Sequence, residues 1–600
     1  MKKITVSLIG FFISIIILQA QPPADPRLKG LDTFVNKILK DWHAAGVSIA
    51  VVEKNKVVYA GGFGYRDYEK KLPVTATTLF AIGSCTKAFT GSLLGMLEKE
   101  GKVDLDKPVR NYLPELKFYN EHLNNHVTLR DMMCHRTGLP RHDYSWYGST
   151  ASRNELLARI EFQEPSAELR EKWQYNNFMF LAQGVVVEKL TGKSWEDNMR
   201  EKILNPLGMT NTKMSISDME KSADHSLAYS VKNDSIIEVI PYRNIDAIGP
   251  AGSVNSCSLD MANWLITWVN GGKFNGKEII PAGYVTQATS SQMSMGGGVP
   301  SKENPDLFLA NYGFGWMISS YRGHMRIEHG GGIDGFITTT GFYPTDSIGI
   351  FVVSNQRGVS TSIRNFIADR LLKLSYRNWS GQQLEAAKKA NEAAKAMANS
   401  DSLNRKPNTK PLHDAEEYVG IYENKGYGQI KIFRENDTTW ADFNEAGKRT
   451  KTYLQHYHYD VFRIRSTEET AESKDATKVL FITNTKGEIE SIQAKFEQGV
   501  KDLVFEKLPP AFKVEKKDLE KYVGDYELSG VTAKVYIRGE NTLMVLVPGQ
   551  PDYELTPTKK DEFNFKTLKG FSIKFDVNDK GETTMLSFIQ PNGTFKAKKK

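Results

Sequence analysis

A seven-residue motif occurs twice toward the C-terminal end of the chain. Glu417-Tyr418-Val419-Gly420-Ile421-Tyr422-Glu423 recurs as Lys521-Tyr522-Val523-Gly524-Asp525-Tyr526-Glu527. Each copy opens a β-rich stretch, and the two stretches meet near Pro509-Pro510. Inside them, Gln429 to Arg434 and Ala533 to Arg538 alternate with period two, the pattern of half-buried antiparallel strands. Two copies are too few for a solenoid. Two tandem all-β barrels over 412–510 and 511–600, each closing its own edges, fit the pattern. One β-sandwich split by an insertion is the alternative. Trp440, Tyr457 and Tyr459 read as core residues of the first barrel, with a ligand-facing surface as the other possibility.

Upstream the text changes character. From Leu31 to Tyr376 strand and helix signals alternate. Val47 to Val52 and Lys56 to Ala60 read as a hairpin across Glu53-Lys54-Asn55. Ala88 to Glu100 reads as a helix closed by Gly101, and Phe178 to Leu190 as another closed by Gly192. Gly335 to Phe342 and Ser347 to Ser354 look like a second hairpin. The mixture predicts an α/β (α+β) domain over 21–380, an antiparallel sheet flanked by helices. A helix and a linker containing Pro407 and Pro411 fill 381–411.

With 600 residues, 40% apolar and 25% charged, the chain can bury a proper core. That excludes collagen, wholesale disorder and a polytopic membrane protein. The net charge of +7 comes from 78 basic and 71 acidic residues that are interleaved, so nucleic acid is not an expected partner. Lys598-Lys599-Lys600 reads as a solvated tail. Met1-Lys2-Lys3 followed by the apolar run Ile4 to Leu18 and by Gln19-Ala20 reads as a signal peptide over 1–20. An uncleaved N-terminal anchor is the alternative. The mature protein is expected to be secreted or periplasmic, with no membrane association after signal removal. Cys85, Cys134 and Cys257 form no disulfide framework and read as buried, although one pair could be oxidised after export. With no CxxC and no HExxH, neither a metal nor a cofactor is expected.

Three short elements carry chemistry. In Ser84-Cys85-Thr86-Lys87, Ser and Lys three apart on a helix share a face, and a lysine with a depressed pKa can take a serine proton. A helix cap with a solvated lysine is the bland alternative. Tyr175-Asn176-Asn177 precedes a helix: a tyrosine passes protons and an asparagine amide orients its neighbours. Alternatively it is only a capping turn. In His329-Gly330-Gly331-Gly332 the glycines let a substrate lie against the backbone, where an N–H completes an oxyanion hole. Alternatively it is a turn beside a structural histidine.

The order Ser-x-x-Lys, Tyr-x-Asn, His-x-Gly resembles the penicillin-recognising serine hydrolases close to class C β-lactamases, D-aminopeptidases and D-alanyl-D-alanine carboxypeptidases. Thr128 to Pro140, Asn205 to Thr210, Gly249 to Ser253 and Tyr312 to Trp316 look like the same family, and the likeness spans about residues 30–375. Some members carry appended lipocalin-like barrels, which matches the repeat. The resemblance implies a β-lactamase-like fold and assigns Ser84 as the acylated nucleophile. It makes Lys87 the activator and proton shuttle and Tyr175 the general base. Asn177 would position Lys87 and substrate, and the N–H groups of Ser84 and Gly332 would form the oxyanion hole beside Gly331. His329 stands where many β-lactamases have a lysine, which weakens the case for β-lactam turnover. The expected partner is a small-molecule or short-peptide substrate, including cell-wall peptide, cleaved at an amide or ester bond. The alternatives are a β-lactamase or penicillin-binding carboxypeptidase, and a non-catalytic cell-wall or penicillin-binding scaffold.

Overall fold

The computed structural model describes residues 25–600, except 233–234, 297–299, 303–304, 307, 357, 444–450, 468–476, 510–513, 529, 540, 567, 569–570 and 591–592, and the side chains of 394–395, 397–403. The expected signal peptide lies outside the described residues.

The strands of the main sheet of the large domain, in chain order, are β1 (Gly46–Glu53), β2 (Lys56–Asp67), β3 (Leu72–Pro73), β4 (Met293–Ser294), β5 (Ala310–Tyr312), β6 (Met317–Tyr321), β7 (His324–Ile333), β8 (Phe336–Tyr343) and β9 (Ile348–Ser354). They form one nine-stranded sheet in the order β4-β5-β6-β7-β8-β9-β1-β2-β3. All sequential neighbours pair antiparallel, and β9 closes on β1 with Val47 opposite Ser354. The helices used below are α1 (Leu31–Asp41), α2 (Thr86–Lys99), α3 (Asn177–Thr191), α4 (Ser258–Val269), α5 (Ser360–Leu371) and α6 (Trp379–Leu403).

Strand β1 shows why its sequence is an almost continuous apolar run. Val47, Ile49 and Val51 face a core shared with Leu31, Val35 and Ile38 of α1 and Ile363 and Ile367 of α5. Ala50 and Val52 face the opposite core, with Phe89 of α2 and Leu265 of α4. A strand covered on both faces has no polar side to alternate with. The turn Glu53 to Asn55 puts Lys54 at φ +54°, as a tight hairpin requires. The insertion between β3 and β4 lays α4 against β1, β2, β8 and β9 and brings the turn Gly83–Cys85, which leads into α2, against β7 and β8. Cys85, Cys134 and Cys257 are buried and unpaired, so no oxidised pair exists among them.

The C-terminal region holds two closed barrels of eight strands each, spanning Gly420 to Lys507 and Gly524 to Lys599. The repeat is structural. Tyr422 donates its hydroxyl to Tyr418 O at 2.8 Å, and Tyr526 to Tyr522 O at 2.7 Å. Lys507 Nζ donates to Glu417 O at 2.5 Å, and Lys599 Nζ to Lys521 O at 3.0 Å. A single split sandwich is thereby excluded. The basic C-terminus is no solvated tail: Lys598 and Lys599 pair with Glu527 and Tyr526 and close the second barrel. In the first barrel Tyr418, Tyr422, Phe462 and Phe481 fill the interior. Tyr457 is buried, but Trp440 is half-buried and Tyr459 is exposed, so the core reading fails for those two. Among the described residues no helix is long and apolar enough to cross a membrane.

Tyr422→Phe and Tyr526→Phe each remove one equivalent buried hydroxyl. Each should destabilise its own barrel by about 1 kcal/mol, the usual net worth of such a bond, and leave the other barrel unchanged. Hydrogen exchange resolves the two barrels separately and checks this.

Candidate active site

Ser84 sits in a short 3-10 turn, Gly83–Cys85, that runs into α2. Gly83 has φ +53°, and a Cβ there would lie 2.8 Å from Gly332 N. A Cβ on Gly331 would lie only 1.9 Å from Ile82 O. The glycine run of β7 therefore lets a strand press directly against the turn that presents Ser84. Thr86 Oγ1 locks the turn, donating to Gly83 O at 2.7 Å and accepting from Val254 N at 3.2 Å.

Lys87 lies one helical turn on, beneath Ser84, with no exposed surface. Its Nζ is 3.0 Å from Ser84 Oγ, 2.7 Å from Asn177 Oδ1 and 2.8 Å from Ala251 O. The amide of Asn177 is oriented from its far side, because Nδ2 donates to Asp143 Oδ1 at 2.9 Å. Burial, reinforced by the nearby Arg141 charge, pushes Lys87 well below the usual lysine range. A neutral amine has two hydrogens and one lone pair. Asn177 Oδ1 and Ala251 O can only accept, so they take the hydrogens. Ser84 is the one partner able to donate, and the lone pair faces its hydroxyl.

Asn176 is the true cap of α3, its side chain accepting from Met179 N at 3.2 Å. The capping alternative therefore holds for the middle residue of Tyr-Asn-Asn, and the outer two face Lys87. Lys87 Nζ stands 4.8 Å from the Tyr175 ring centre. Arg141 lies 4.8 Å from that ring, and the His135 ring 4.3 Å. Burial raises the Tyr175 phenol above its usual 10, with a hydrogen bond to Ser84 pulling the other way. It is a phenol, not a phenolate, near neutral pH.

His329 is placed differently from expectation. It is 1% exposed and does not line the cleft. Its Nδ1 lies 2.6 Å from Gly330 O, which can only accept, so Nδ1 carries the proton. Nε2 then accepts the Tyr312 hydroxyl at 2.8 Å. Burial lowers its pKa to about 4. His329 is a neutral strut between strands and not one of the groups that line the cleft. Gly331 likewise serves close packing, whereas Gly332 lines the cleft with Gly83 and Ser84.

The cleft holds about 340 Å³. Its far wall is a segment that motif reading passed over: Arg141, Asp143, Trp146 and Tyr147, facing Ile333 and Asp334. Arg141 pairs with Asp143 at 2.6 Å, and Arg243 with Asp334 at 2.8 Å. Tyr147 bonds Asp334 and lies under the Arg243 guanidinium. The one signal in the sequence was the dense aromatic and charged run following Gly138-Leu139-Pro140. Among the described residues no group of three His, Cys, Asp or Glu is arranged to hold a metal.

Sheet, flanking helices and a cleft serine over a buried lysine beside a glycine strand define a penicillin-recognising type of domain. The chain belongs to the beta-lactamase family, whose model matches residues 31–373. Residues 404–507 match a domain of unknown function, DUF3471. Unguisins hydrolase ungD' of Aspergillus campestris is 29% identical over 491 residues, 76% of this chain and 88% of that protein. Protein flp of Staphylococcus aureus is 25% identical, over 54% of this chain and 62% of its own length. The octameric penicillin-binding protein homologue from Pyrococcus abyssi shares the fold, with a TM-score of 0.51 at 21% identity, covering 79% of this chain and 99% of that one.

Gly331→Ala should force β7 away from the Ser84 turn, since the clash is with backbone and cannot be relieved by a side chain. A serine-directed fluorophosphonate should then label Ser84 at least 100-fold more slowly, the scale expected for losing an oxyanion contact. Labelling at the wild-type rate would show that the close approach is unimportant.

Proposed function

We propose that the chain is an exported serine hydrolase that cleaves an amide or ester carrying no carboxylate, of the D-amino-acid peptidase, amidase or esterase kind, through an acyl-enzyme on Ser84. The observation that carries this is the Lys87 amine, desolvated and turned toward the Ser84 hydroxyl by two acceptor-only partners. In the first step the Ser84 proton passes to Lys87 Nζ while Oγ bonds to the substrate carbonyl carbon. The charge on the carbonyl oxygen is met by the N–H groups of Ser84 and Gly332. On collapse the C–N or C–O bond breaks, and the leaving group takes the proton from Lys87 by way of the Tyr175 phenol. Water then adds to the acyl-enzyme, giving its proton back through the same pair, and releases acid and free Ser84.

The charge pattern supports a substrate without a carboxylate. The charged groups on the cleft wall are Arg141, Asp143 and Asp334; the first two pair with each other, Asp334 pairs with Arg243, and His329 is uncharged. A β-lactam carboxylate or a peptide C-terminus would meet no dedicated cation. The fungal relative named as an unguisins hydrolase supports hydrolysis in general. The apolar N-terminal run supports export, and N-terminal sequencing of the secreted protein should begin after Ala20.

Ser84→Ala should abolish hydrolysis of D-aminoacyl p-nitroanilides and p-nitrophenyl esters, by about 1000-fold or more. Faster turnover of nitrocefin, which carries a carboxylate, than of either class would contradict this reading. Because Lys87 acts as a base, kcat/KM should rise with pH through its lowered pKa and be lost below it. Arg141→Gln removes a cation that favours the neutral amine. The acid limb of the kcat/KM profile should therefore move to higher pH, and a shift to lower pH would refute the assignment.

A further inference from the structure

We propose that the first barrel is a working part of the active site, holding the cleft wall in place, with Glu497 as the positioning residue. The wall is the segment Pro140 to Tyr147, and its outer side is covered by two loops at one end of that barrel. Glu497 Oε1 accepts from Tyr144 N at 2.9 Å, and the carboxylate also faces the Asp143 N–H. It thus caps the short turn Asp143–Ser145 from outside the domain. The Tyr144 ring packs on Phe496 at 5.5 Å. From the other loop, Gly426 O accepts the Ser145 hydroxyl at 2.5 Å, and Tyr427 Oη lies 2.5 Å from His142 Nδ1.

The direction of that last bond is settled by the opposite side of the ring. His142 Nε2 lies 3.2 Å from Glu164 O, which only accepts, so Nδ1 accepts and Tyr427 donates. His142 is buried and has φ +51°, a conformation few non-glycine residues adopt without outside support. Lys501 pairs with Glu164 beside it.

On its inner side the same turn reaches the reacting groups. Asp143 Oδ1 accepts from Trp146 Nε1 at 2.7 Å and from Asn177 Nδ2 at 2.9 Å. That second bond aims Asn177 Oδ1 at Lys87, 2.7 Å away. A continuous series of contacts therefore leads from Glu497 through the 143–145 turn and Asn177 to the Lys87 amine. Among the described residues, none of those lining the cleft comes from either barrel. Through its described loops the barrel meets the outer side of the wall. It acts through the wall.

The activity half of the test rests on the hydrolase reading, and the structural half does not. In the full-length chain, Glu497→Ala should speed amide exchange over residues 140–147 about tenfold or more. Exchange in the strands of the first barrel should not change. The same variant should slow fluorophosphonate labelling of Ser84 about 10- to 100-fold, the scale of a small misplacement at a reacting centre. Glu497→Gln keeps an acceptor oxygen and should stay close to wild type in both readouts. If Glu497→Ala loosens the whole barrel, Tyr427→Phe, which removes one hydroxyl from the other loop, decides by the same two readouts. Unchanged exchange over 140–147 overturns the proposal. Raised exchange with no labelling even in wild type sinks the hydrolase reading and leaves the buttress standing.

Discussion

A lysine with no exposed surface is the constraint around which this molecule is arranged. Lys87 shares its space with Asn177 Oδ1, Ala251 O and Ser84 Oγ. An ammonium there would be desolvated with no carboxylate in contact, which is costly. A neutral amine is comfortable, because its two hydrogens meet two carbonyl-type oxygens and its lone pair meets a hydroxyl. The surroundings contribute in kind. The turn Gly83–Cys85 supplies Ser84, the start of α2 supplies Lys87, the Gly249–Gly252 turn supplies Ala251, and the start of α3 supplies Asn177. Moving any of these elements would change the protonation of the amine as well as its position.

Much of the framework was legible from the residues. The unbroken apolar run of β1 and the glycines closing α2 and α3 have local causes, and local causes survive folding. The Ser-x-x-Lys spacing could be read because three residues on a helix share a face in any fold. The repeated Tyr-Val-Gly-x-Tyr unit gave the barrels, because the same tyrosine-to-carbonyl bond and the same lysine closure serve both.

What escaped was of a different kind. His329 looked like a substrate group because its motif abuts the glycine strand. Whether a strand residue faces the cleft or the packed side depends on register, and register put it against Tyr312. Lys598 and Lys599 looked solvated because charge gives no hint of strand closure at a chain end. Arg141 and Asp143 have no periodicity to betray them. The bond between His142 and Tyr427 joins residues 285 apart, and no window on the sequence spans that. Nor could composition show that a barrel with a filled interior would use its loops and not its lumen.

The protonation of Lys87 is therefore the quantity to measure. Lysine side chains labelled with 15N, with Lys87→Met to assign the resonance, allow its titration to be followed by NMR in the intact protein. A resonance that reports a neutral amine near pH 7 and titrates well below the ordinary lysine range is the predicted result. An ammonium that persists to about pH 10.4, the value of a free lysine side chain, would contradict the account at its centre.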